Sequence, residues 1–69
     1  MSEERMYIAR GFDEIGRAGL SPTGYLTARY EMKDFGFFAG GDVVFFKDRH
    51  HRDEFIKEFG GQGGEATPA

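Results

Sequence analysis

The chain has 69 residues, no cysteine, and nine Lys plus Arg against twelve Asp plus Glu, a formal charge of −3. A chain this short makes one domain at most and buries only about 60% of its unfolded surface, which leaves little material for an elaborate catalytic cleft. The missing cysteine excludes disulfide staples, thiolate nucleophiles and Cys-containing zinc patterns, and the lack of a basic block argues against duplex binding by counterion release.

In chain order, residues 6–9 form a short apolar run that reads as a strand. Over residues 8–15, Ile8, Phe12 and Ile15 have helical spacing, yet Gly11, Gly16 and Gly19 make a regular helix costly. A strand followed by a turn or short helix competes evenly there, and the strand is preferred. "SPTG" at 21–24 reads as a turn, with Pro22 suited to its second position and Gly24 to a positive φ. From 25 to 32 the alternation is clean: Leu26, Ala28, Tyr30 and Met32 fall on one side, Tyr25, Thr27, Arg29 and Glu31 on the other, which predicts a half-buried strand.

"FGFFAGGDVVFF" at 35–46 reads as a hairpin about Gly40-Gly41, pairing Phe38 with Val43, Phe37 with Val44, Gly36 with Phe45 and Phe35 with Phe46. Asp48 sits as an N-cap ahead of "RHHRDEFIKEF", and Gly60 is placed to end that helix in a left-handed conformation. Residues 60–69 carry too little apolar content to pack and read as a flexible tail. The expected architecture is α+β: a meander of three or four antiparallel strands on one C-terminal helix, with residues 1–59 as a single domain and 60–69 as a disordered Gly-rich tail.

That hairpin is apolar on both faces, because side chains alternate along each strand. One helix of about eleven residues, about 17 Å long, covers one face of such a sheet. The other face is core only if Phe12, Ile15 and Leu20 fold back over it. Otherwise it is a partner site or a homodimer seam.

No chemistry-bearing pattern emerges. His50 and His51 are adjacent and point about 100° apart on a helix, so they do not chelate one ion together, and no metal or cofactor is expected. Ser21, Thr23 and Thr27 have no base at a recognisable spacing, and the glycines match no phosphate-binding loop. A non-enzymatic binding role is therefore expected. No apolar run is long enough to span a bilayer and "MSEERMY" does not read as a secretory signal, so a cytoplasmic location without membrane association is expected.

Lys33, Phe35, Gly36, Phe37 and Phe38, followed by Asp42 and Val43, resemble over about fourteen residues a motif of the cold-shock and related RNA-binding families. Asp34 stands where those families have Gly, and Thr27, Ala28 and Arg29 replace their basic-aromatic run. The resemblance implies stacking of unpaired bases on rings such as Phe35 and Phe37. In size, cysteine-free composition, mild acidity and lack of a catalytic motif, the whole chain resembles small phage-encoded inhibitors of the anti-CRISPR type. That resemblance implies a protein partner, a basic nucleic-acid-handling surface of a host complex. Asp42, Asp48, Asp53 and Glu54 would meet its Lys and Arg, with Tyr25, Arg29 and Phe37 as central contacts. Arg52, one turn before Phe55, either covers rings with its alkyl stem or anchors an interface.

Overall fold

The computed structural model describes residues 5–38 and 40–66. The elements are β1 (Met6–Arg10), α1 (Pro22–Arg29), a 3-10 turn (Met32–Asp34), β2 (Phe35–Phe37), β3 (Val43–Phe46), α2 (Arg49–Phe59) and β4 (Gln62–Ala66). The α+β expectation holds, with four antiparallel strands and two helices; none of the described helices is long and apolar enough to cross a membrane. The sheet is not a meander. Its order is β2-β3-β1-β4, the split β-α-β arrangement, because β1 leaves the sheet through α1 and the hairpin then returns with β3 against β1.

The predicted strand at 25–32 is instead helical as far as Arg29, and the predicted turn at 21–24 is the start of that helix. Ser21 Oγ accepts the Gly24 N–H at 3.1 Å, and Pro22 takes a first-turn position, where a missing N–H costs nothing. Tyr25 and Leu26 are both buried. A strand would send these neighbours to opposite faces, whereas a helix turns both toward one core with Pro22 beside them.

Asp48 caps α2, its Oδ1 accepting the His50 N–H at 2.8 Å. The stripe Arg52, Phe55, Ile56 and Phe59 turns inward, with Phe55 and Phe59 almost wholly buried, while His50, Asp53 and Lys57 face water. Gly60 ends α2 at φ 78° but ψ −163°, so the expected left-handed cap is not formed; its N–H returns to the Ile56 carbonyl.

The helix is not the last element, and the expected tail is a strand over 62–66; residues 67–69 of that expectation lie outside the described residues. β4 pairs along all of β1, from Met6 opposite Ala66 to Arg10 opposite Gln62. Apolar content was the wrong criterion for it, since backbone pairing and one arginine hold it. Buried Arg52 donates from Nη1 to the Gly64 carbonyl at 2.7 Å, with its guanidinium 5.8 Å from the Tyr7 ring centre. A Cβ on Gly63 would stand 3.0–3.1 Å from Arg52 and Ile56, so a glycine there lets α2 close on the strand.

The hairpin has the predicted pairing, Phe35 with Phe46, Gly36 with Phe45 and Phe37 with Val44, and the Phe38 N–H reaches the Val43 carbonyl at 3.0 Å. Val44 and Phe46 point to the helices and join Ala9, Leu26, Phe55 and Phe59 in the core. Phe12 packs edge-on against Phe55, with centroids 5.0 Å apart, so it covers the helix side. Ile15 and Leu20 are 66% and 42% exposed. The 11–20 segment therefore does not shelter the other face of the sheet.

Candidate functional site

Alternation from the core residues Ala9, Val44 and Phe46 sends Ile8 and Arg10 of β1, Val43 and Phe45 of β3 and Gly36 of β2 to the side without helices. The glycine surroundings agree with this assignment. Gly63 meets α2, whereas its neighbour Gly64 meets the Ile8 side chain on the opposite side.

The rings on this face are arranged by one missing side chain. A Cβ on Gly36 would fall 2.5–3.0 Å from three carbons at the far end of Phe45, so that ring lies down over the Gly36 backbone. Phe38, 40% exposed, stands beside it with centroids 5.0 Å apart and planes at 54°. Ile8 is only 5% exposed although no helix covers it, because it leans over Gly64 and sits opposite Phe45. Arg10 closes one end, and Lys47, whose N–H meets the Asp34 carbonyl, continues the strand alternation at the other.

The residues singled out from the sequence lie elsewhere. Tyr25 is buried edge-on against Phe59 and Phe55. Phe35 and Phe37 are half-buried on the helix side, packed against the core. Phe37 and Asp42 share a groove of about 750 Å³ with Phe12, Ile15 and Pro22, between the hairpin turn and the start of α1. Arg29 and Glu54 meet Tyr25 in a second groove, of about 360 Å³, with Arg17, His50 and Lys57.

The carboxylates of α2 are already engaged. Asp48 is the N-cap, and Asp53 Oδ1 takes the Arg52 Nε–H at 2.7 Å while Oδ2 lies 3.8 Å from Arg49. Glu54 accepts the Tyr30 hydroxyl at 2.5 Å and lies near His50 (3.3 Å) and Arg29 (3.8 Å). The Tyr30 hydrogen bond, ahead of the nearby cations, holds the Glu54 carboxyl below its ordinary range, and burial followed by that same bond pushes the Tyr30 hydroxyl far above its own. His51 packs its ring 4.3 Å from Tyr30, with a buried Nδ1 that has no hydrogen-bond partner among the described residues. Among the described residues no three His, Asp or Glu converge as metal ligands.

Sequence reasoning passed over Phe38, Phe45, Val43, Ile8 and Arg10 as site residues. The signal was present in the hairpin register itself, which separates Gly36, Phe38, Val43 and Phe45 from Phe35, Phe37, Val44 and Phe46. Which set the helices would cover was not readable from the hairpin alone. No protein-family model, curated protein or solved structure matches the chain.

Proposed function

We propose that this protein is a binding module with no reaction of its own, and that it recognises its partner with the helix-free face of its sheet. The observation that carries this reading is the placement of Phe45 and Phe38 on a face that no helix covers, with Phe38 40% exposed. Apolar rings left in water on a small domain mark a contact surface. The smaller groove on the helix side offers less, since its lining mixes both charge signs and Glu54 in it is held by its own chain; the larger has Glu14 and Asp42 as its charged lining and presents no such pair of neighbouring rings. An inhibitor of the anti-CRISPR type that meets a partner's cations with Asp42, Asp48, Asp53 and Glu54 has less support, since donors and cations of this chain already hold three of the four carboxylates, Asp48, Asp53 and Glu54.

Site-specific photocrosslinking tests the choice of face. The crosslinker p-benzoylphenylalanine is placed at position 38, or at position 57 on α2, in the cell that makes the protein. Adducts from position 38 and none from position 57 are expected. The reverse pattern overturns the assignment.

A further inference from the structure

We infer that the occupant of the helix-free face is a short stretch of single-stranded nucleic acid, two or three unpaired nucleotides whose bases stack on Phe45 and Phe38. The inference rests on the reading of that face as the recognition surface and adds the chemistry of what it takes. Size is the first argument. Four strands about 4.8 Å apart, of three to five residues at about 3.3 Å each, make a face of roughly 250 Å². A stable protein interface, including one with a second copy of this chain, needs about 800 Å² from each partner. Two or three bases fit what is present.

Ring geometry is the second argument. Gly36 lets Phe45 lie over the backbone, so one side of the ring is turned to the sheet, while the ring stays partly exposed beside Phe38. Such a π face accepts any base, whereas an aliphatic partner would be served as well by a leucine at the same position.

Charge is the third. The chain is acidic as a whole, but its charges are sorted. Arg10 is the one charged side chain that the described strands place on this face, with Lys47 following at the far end of β3. Glu65 belongs to the helix side, opposite Tyr7, and Asp42 lines the helix-side groove. Asp34, paired through its carbonyl with the Lys47 N–H, and Asp48, the next residue in the chain, stand beside that corner, the Asp48 carboxylate being held as the cap of α2. A sugar-phosphate backbone running between Arg10 and Lys47 is not repelled there, and the stacking supplies affinity that two cations alone would not.

The test is fluorescence anisotropy with labelled ten-nucleotide dT and rU strands and a ten-base-pair duplex, at 50 and 200 mM salt. Saturable binding of a single strand is expected, stronger than that of the duplex, and weakening about sevenfold over this salt range, as two phosphate contacts on a single strand give. Phe38→Ala is expected to weaken binding about tenfold, and Phe45→Leu, which keeps the apolar volume, by a similar factor. Arg10→Gln should halve the logarithmic salt slope. Phe38 is exposed, so its variant tests the idea even if Phe45→Leu folds poorly, which circular dichroism checks. Absence of single-strand binding at millimolar protein, or binding that ignores both Phe variants, overturns the inference. If the oligonucleotides fail while a protein crosslinks at position 38, the face is retained and the nucleic acid is rejected; if position 38 is also silent, both readings fall.

Discussion

The two faces of the sheet are built from the same residue types and have opposite fates. On one, Phe46 is wholly buried beneath Phe55, with centroids 5.6 Å apart, and Tyr30 meets it edge-on. On the other, its neighbour Phe45 lies over a glycine with no helix above it. Composition does not separate two adjacent phenylalanines. What separates them is that α1 and α2 both pack on one side, so among the described residues no helix is left to cover the reverse.

Substitution at these two positions gives the largest expected contrast. Phe46→Ala removes a fully buried ring and should cost about 3–5 kcal/mol. That is most of the stability of a small domain, so urea titration should find the variant largely unfolded in dilute buffer. Phe45→Ala loses only part of the 1.5–3 kcal/mol of a fully buried ring, roughly 1 kcal/mol, and should stay folded. Equal losses at the two positions would mean that the faces are not different in kind.

A second contrast lies between the outer strands. β2 is held through the apolar hairpin, whereas the Gly-rich β4 depends on backbone pairing with β1 and on the Arg52 bond to the Gly64 carbonyl. Arg52→Met keeps the buried stem and removes a charged hydrogen bond, worth about 1.5–3 kcal/mol. The loss should be local. Hydrogen exchange should open the amides of residues 62–66 first, while those of β3 stay protected; uniform loss of protection would place Arg52 among the general core residues instead.

These contrasts mark what the sequence made legible. Hairpin register and the span of α2 were readable because each is set by neighbours: a turn with flanking apolar arms, and an N-cap ahead of a 3–4 spaced stripe. α1 was misread because residues 25–32 also alternate, and period 2 competed with the Ser21-Pro22 start signal. Tertiary demand decided it, since Tyr25 and Leu26 are both required inside. β4 was invisible for a related reason. Nothing within "QGGEA" specifies a strand, and its order comes from an edge of β1 and an arginine ten residues and more upstream. The site followed the same rule: the alternation was legible, but which face stays bare depends on where both helices land.

The smallest effect expected is electrostatic and belongs to the covered side alone. Glu54 is the junction between the end of α1 and α2, with Tyr30, His50 and Arg29 around its carboxylate. Its carboxyl is held below the ordinary range in the folded chain, so it binds protons more readily when unfolded, and its contribution is fully present above the unfolded pKa of about 4.3. That contribution is lost as pH falls through the lower folded value. Glu54→Gln keeps an acceptor for the Tyr30 hydroxyl and removes the titration. Thermal unfolding followed from pH 7 down to pH 2.5 should give a shallower acid limb for the variant, with the two curves converging at the acid end. A parallel decline at every pH would show that the carboxylate acts only as a neutral acceptor would. Phe38→Ala, on the face where the described residues form no comparable ion cluster, should leave the shape of the acid limb unchanged, so the sheet's two sides differ in their response to protons as they do in their response to truncation.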